Sequence, residues 1–282
     1  MHFSLFSVLD QIQSFFSQAE TPIPDPSWQT IPDSVISQLE QLINQLPYPS
    51  SRITVIEETI ISHLKEWEAD QKANHLVILG LPVTNLTDLI PASFPKEHLK
   101  NIEVIYPLFN LSVYQNPSQI RQALKAEIEK ITSYCEQPSP KIIIIPNLEQ
   151  YFLRCIGGWK EIIWLREHII NTPYCFWLLG CNYWSWTFLD HVCQLNAYLG
   201  TKLSIPHLNS DELREWLQPL VKSFIPEEKA NSSSFFWEAL ASLSEGESEV
   251  AKQLWLQSIQ MSFEEQQTED TAENLRLRLT TP

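Results

Sequence analysis

The segment Gly80-Leu81-Pro82-Val83-Thr84-Asn85-Leu86-Thr87 has the length and both end residues of a phosphate-binding loop. That chemistry, in the pattern G-x-x-x-x-G-K-[ST], needs a glycine-rich turn between a strand and a helix. Backbone N–H groups then surround the phosphates and a lysine reaches their oxygens. Gly80 and Thr87 fit, whereas Asn85 stands at the second glycine and Leu86 at the lysine. Leucine cannot pair with phosphate, and a match this short often arises by chance, so its meaning depends on the elements around it. Other chemistries find less support. Cys193 and His191 would pair a thiol with a base, but residues two apart on a helix point to different faces and no third group orients them. His168 and His191 have no carboxylate or cysteine at metal-ligand spacing. Cys135, Cys155, Cys175, Cys181 and Cys193 are odd in number and show no paired spacing. They predict a reduced chain with no metal site and no disulfide framework.

The elements that must position the loop follow from the apolar period. From His75 onward, short apolar runs at 76–79, 102–106, 141–145, 176–180 and 202–205 read as strands. Ile142 to Ile145 is as continuous as a strand buried on both faces should be. Helices are expected at about 118–135, through Ile170 with an interruption near Gly157-Gly158, and at 184–199. Strands alternating with helices imply right-handed crossovers and a parallel sheet covered on both faces. Before this block the chain reads as helical. Leu5, Leu9, Ile12 and Phe16 recur at helical spacing, with Phe6 and Phe15 widening the stripe, and Pro22 to Pro32 form a stiff linker. Further helices are expected from Asp33, a capping residue, to Gln45, and over 53–72, separated by Pro47 and Pro49. The second should carry Val55, Ile56, Ile60, His63, Leu64 and Trp67 along one side. Beyond Asn209 three helices follow, at about 210–223, 232–243 and 247–262. The expected fold is therefore α/β: a helical N-terminal extension (1–73), a five-stranded core (74–206), a helical lid (207–262) and an acidic tail (263–282). The tryptophans, Trp184, Trp186, Trp237 and Trp255 among them, are expected to pack core and lid.

Composition narrows the class further. The chain has 282 residues, 44% apolar and 19% charged, which suits a globular protein. No apolar run approaches the roughly 18 residues of a membrane span. No Lys or Arg precedes Arg52, so the basic region of a secretory signal is missing and a cytoplasmic location is expected. The net charge of −15 is concentrated at the ends, with −5 over residues 1–51, −3 over 52–226 and −7 over 227–282. Nucleic acids and anionic membranes both select Lys and Arg, so neither is an expected partner.

With the elements ordered, the segments after the strands can be compared with a family. The third strand runs into Pro146 and Asn147, where a Walker B motif has its two acids. The fourth ends in Gly180-Cys181-Asn182, like a sensor 1 asparagine. Ser244-Glu245-Gly246-Glu247-Ser248-Glu249-Val250-Ala251 is similar to the G-[DN]-P-R-x-A box that opens a sensor 2 helix, with Glu249 at the arginine. Over about residues 74–262 the chain resembles an AAA+ or related P-loop ATPase of the Cdc6-like or signal-transducing branches. The resemblance implies strand order 5-1-4-3-2 and an ancestral nucleotide site between core and lid. It also marks Arg154 and Arg166 as lying where trans-acting arginines occur in relatives.

At each charged position that such a site uses, the residue has changed. Leu86 cannot pair with phosphate, Pro146 cannot ligate a metal, Asn147 cannot act as a base, and Glu249 would repel a γ-phosphate. Losing one phosphoryl-stabilising group costs about 10²–10³-fold in rate. The expectation is a pseudo-ATPase with no cofactor, Gly80, Asn85, Thr87 and Asn182 being further remnants of the site. It would act by protein–protein interaction as an adaptor or regulatory subunit beside an active ATPase or membrane complex, with oligomerisation open. Two rivals stand beside it. One is a non-hydrolysing nucleotide switch using the amides of 81–87 and Thr87. The other is a scaffold whose N-terminal stripe, including Phe6 and Phe16, docks a partner or membrane complex.

Overall fold

In the computed structural model, five strands form one parallel sheet: β1 (His75–Gly80), β2 (Glu103–Ile105), β3 (Lys141–Ile145), β4 (Cys175–Asn182) and β5 (Lys202–Ser204). The described residues are 28–29, 33–70, 73–95, 102–107, 117–132, 140–152, 158–224, 234–258 and 261–262. The strands lie side by side in the order β2-β3-β4-β1-β5, the order the resemblance implies. Register follows the apolar runs, with Ile78 opposite Gly180 and Ile144 opposite Leu178. The three central strands are buried on both faces because their apolar runs are unbroken, whereas β2 and β5 at the edges are short and partly exposed.

Alternation along the strands divides the core in two. Leu76, Ile78, Ile142, Ile144, Phe176 and Leu178 face one layer, made by α2 (Ser50–Asp70) and α3 (Leu86–Ala92). Val77, Leu79, Ile143, Ile145, Trp177 and Leu179 face the other. That layer is built from α4 (Pro117–Thr132), α5 (Lys160–Asn171), α6 (Tyr183–Cys193) and the short α7 (Leu195–Tyr198). A third apolar cluster stands apart from the sheet. In it α8 (Ser210–Phe224), α9 (Ser234–Leu243) and α10 (Ser248–Gln257) pack with Leu39 and Ile43 of α1 (Asp33–Gln45). The two described helices that precede the sheet thus belong to different layers: α1 to the helical cap, α2 to the sheet. A two-residue antiparallel pairing joins Trp28–Gln29 to Met261–Ser262.

Several expectations change in detail. The helix expected over 184–199 breaks at Gln194, which takes a left-handed conformation (φ 54°). Asp190 enforces the break by accepting hydrogen bonds from the Asn196 backbone N–H (2.7 Å) and side-chain amide (2.5 Å). α2 begins at Ser50 because the Pro49 carbonyl already accepts from the N–H groups of Arg52 and Ile53. Its buried stripe is Arg52, Ile56, Ile60, Leu64 and Trp67, while Val55 lies at the surface. Trp186, Trp237 and Trp255 are core residues as expected, but Trp184 is 66% exposed. The expected first helix, Phe6, Phe16, Arg154 and the tail 263–282 lie outside the described residues.

Candidate functional site at the carboxyl end of the sheet

Gly80, Asn85, Leu86, Thr87, Pro146, Asn147 and Asn182 gather where β1, β3 and β4 end. Gly80 closes β1, and the chain turns through Leu81 to Thr84 into α3, with Asn85 at its N-cap. The loop is bonded to itself. The Thr84 N–H donates to the Leu81 carbonyl (2.9 Å) and the Leu86 N–H to the Thr84 carbonyl (3.0 Å). Leu86 opens α3 and its side chain folds inward, only 2% exposed, into the layer between α2 and the sheet. Its Cδ2 lies 3.1 Å from the place a Cβ on Gly80 would take, and Thr84 Cβ lies at 3.0 Å. Side chains of the loop itself therefore fill the space beneath Gly80. Asn85 points outward and donates to Asp88 (2.8 Å).

Thr87 and Asn147, sixty residues apart, meet: Asn147 Nδ2 donates to Thr87 Oγ1 at 2.5 Å. Asn147 is placed by Pro146, which ends β3, and by the 3₁₀ turn Leu148–Tyr151. Pro146 crosses so close to β4 that a Cβ on Gly180 would lie 2.2 Å from its carbonyl oxygen. Real carbon–oxygen contacts are never this short, so only glycine fits at 180. Asn182 ends β4 and caps α6, its Oδ1 accepting from the Ser185 N–H (2.8 Å). Its own N–H donates to Glu149 Oε2 (3.4 Å). Burial, followed by the Glu149 carboxylate, pushes the neighbouring Cys181 thiol well above its ordinary range. Cys175 is raised to about 12 by burial. Neither is a nucleophile. Cys193 is also raised by burial and lies inside the core, while His191 is exposed, so the two do not form a pair.

Glu249 lies in the first turn of α10, half-buried rather than solvated, and accepts from Lys252 Nζ at 2.9 Å. Burial, then the charges of Asp88 and Glu249, raises the Tyr48 hydroxyl to about 12. Arg166 is packed into the junction of α5 and α7. Its guanidinium stacks on Tyr198 at 3.9 Å and donates to the Cys193 carbonyl. A cavity of about 270 Å³ opens between sheet and cap, lined by Gly80, Leu81, Tyr183, Ser204, His207 and Glu247 among others.

The most heavily bonded polar group in this region has no counterpart in the sequence reading. Arg52, 1% exposed, forms a bidentate pair with Glu247 at 3.1 and 3.2 Å. It also donates to the Gly246 carbonyl (2.7 Å), Ser248 Oγ (3.1 Å) and the Pro206 carbonyl (3.2 Å). A signal was present: Arg52 is the first Lys or Arg in the sequence and falls in register with Ile56 and Ile60 on the apolar stripe of α2.

No protein-family model matches the chain, and no curated protein matches it in sequence. Solved structures similar to it include Orc1 of Aeropyrum pernix in complex with DNA, at 15% identity and a TM-score of 0.48. The match covers 76% of this chain and 59% of that one, so the chain spans about three fifths of its length. Cdc6p of Pyrobaculum aerophilum follows at 13% identity, 81% and 65% coverage and a TM-score of 0.44. A chain of the HORMA:CdnC:Trip13 complex of Escherichia coli MS115-1 matches at 11% identity, 78% and 80% coverage and a TM-score of 0.45. Among the described residues, no helix is long and apolar enough to cross a membrane.

Proposed function

We propose that the chain is a catalytically inactive AAA+-like module that acts by protein–protein interaction, as an adaptor or regulatory subunit of a larger complex. The observation that carries this reading is the closure of the 80–87 loop on itself. Two of the amides that would surround a phosphate bond to the loop's own carbonyls, and Leu86 at the lysine position is buried beneath Gly80. Thr87, at the hydroxyl that helps hold a metal ion in ATPases, and Asn147, at the position of the base, hydrogen-bond to each other. With the lysine and both acids replaced, phosphoryl transfer would lack the lysine, the metal-holding acid and the base that it uses. Action through binding is supported by the aromatic side chains exposed on α6, Tyr183, Trp184 and Phe188, a residue type that interfaces bury. The partner is a protein rather than a nucleic acid on the ground of net charge.

Calorimetric titration with Mg-ATP and with metal-free ATP tests the reading. The expected result is no binding up to millimolar nucleotide and no phosphate release above the buffer rate. Micromolar binding without turnover would favour a nucleotide switch, and turnover abolished by a change in the loop would refute the proposal outright.

A further inference from the structure

Among the described residues, the chain crosses between sheet layer and cap twice, at 46–49 between α1 and α2 and at 205–209 between β5 and α8. Both crossings carry proline, and in each a proline carbonyl lies outside helix and strand. In each crossing such a carbonyl is taken by a side chain from the opposite layer. Trp216 of the cap donates its indole N–H to the Pro47 carbonyl at 2.7 Å. Arg52 of the sheet layer donates Nε–H to the Pro206 carbonyl at 3.2 Å.

Arg52 then reaches further into the cap. A guanidinium has five N–H donors, and here each has one acceptor: Pro206 O, both Glu247 oxygens, Ser248 Oγ and Gly246 O. Gly246 is itself shared, since its carbonyl also accepts from the Leu208 N–H (3.0 Å) just past the second crossing. Its φ of +65° and the Leu208 backbone 2.5 Å from any added Cβ leave no room for another residue. The pair is sealed from water, with side-chain exposures of 1% and 3%. A paired buried charge resists separation, because opening leaves two desolvated ions without partners.

We infer that Arg52, Glu247 and Gly246 form a latch that, with the Trp216–Pro47 bond, fixes the helical cap to the sheet layer at both crossings, so that sheet and cap open only together. The latch does not depend on the nucleotide reading, because none of its bonds involves the 80–87 loop. The cap is held shut by groups that belong to the chain itself and needs no ligand to bring it to the sheet.

Hydrogen exchange of the full-length chain, followed by mass spectrometry of peptides, tests this. In the wild-type chain, peptides from 33–45, 210–224 and 234–257 should be protected to within about 10-fold of those from β1, β3 and β4. Arg52→Met should speed cap exchange by about 10²–10³-fold, the factor expected for leaving Glu247 buried and unpaired, while sheet peptides change far less. Arg52→Lys keeps the charge but loses the fork, and should give the same selective effect at about 10-fold. This milder variant carries the test if Arg52→Met does not fold. Cap and sheet peptides that speed up equally, or not at all, would overturn the inference. So would a wild-type cap that exchanges more than 10-fold faster than the sheet.

Discussion

Restoring the lysine of the phosphate-binding pattern is the sharpest test of how the 80–87 loop is built. If Leu86 faced the loop's outer surface, Leu86→Lys would be tolerated and would add a phosphate-binding cation. The structure places the side chain on the inner side, 2% exposed among Ile78, Leu89 and Ile90. The lysine stem would keep part of the apolar burial, so the main cost is the ammonium. A fully buried lysine has its pKa lowered by about 3 units or more from 10.4, and each unit is worth about 1.4 kcal/mol. The variant should therefore be less stable than wild type by about 4 kcal/mol at pH 7. The sign of the pH dependence is fixed. The folded pKa lies below the unfolded one, so the unfolded chain binds the extra proton between them and the deficit shrinks as pH rises toward 10.4. Urea unfolding of both chains should show a gap near 4 kcal/mol at pH 7 that narrows by about 2 kcal/mol at pH 9. Calorimetry should still show no Mg-ATP binding. A variant within about 1 kcal/mol of wild type at both pH values, or one that gains micromolar affinity, would refute the inward placement of residue 86.

Three further outcomes follow from other parts of the molecule. Gly180→Ala puts a methyl against the Pro146 carbonyl and Ile90. It should cost about 2–3 kcal/mol in urea unfolding, and a loss under about 0.5 kcal/mol would count against the close crossing. His75 has both ring nitrogens buried without a partner, and burial, then His63, lowers its pKa to about 4. Its contribution is present above the ordinary value near 6.5 and is lost as pH falls toward 4, a swing of about 3 kcal/mol that His75→Phe should remove from the stability–pH profile. Cys175, Cys181 and Cys193, all buried and all raised, should react with a thiol reagent at pH 8 only as fast as the chain unfolds, measured in a Cys135→Ser/Cys155→Ser background.

The fold was legible because its strands announce themselves. Ile142 to Ile145 and Phe176 to Gly180 are too short and too apolar for anything but buried strands, and the helices between them force parallel pairing. The register of the positions at the strand ends was legible for the same reason: Gly80 and Asn182 close their strands, and Asn147 follows the end of one by two positions. What the pattern could not show is direction. Whether Leu86 points to the loop's outside or beneath Gly80 depends on the N-cap at Asn85, which carries no apolar signal. Nor could it show the latch. Arg52 and Glu247 are 195 residues apart, and charge alone marks them as surface residues. Only the position of Arg52 on the stripe of Ile56 and Ile60 conflicts with that default. Trp184 misleads in the opposite sense, an aromatic residue that the structure leaves in solvent.

The two polar centres of the molecule explain each other's state. At the sheet's carboxyl end the groups are satisfied cheaply: an amide on a hydroxyl, an asparagine on Asp88, a leucine in the core. None is a buried ion, so no desolvated charge there demands a ligand to complete it. At the junction the opposite holds, since Arg52 and Glu247 are ions fully removed from water and complete only in each other's presence. A module that needed its cap to move with each ligand would place charge at the ligand and keep the junction labile. This chain does the reverse, with a neutral, self-closed loop and a charged, fully bonded junction. Such an arrangement suits the role proposed above, which asks for one fixed shape rather than a cycle between two.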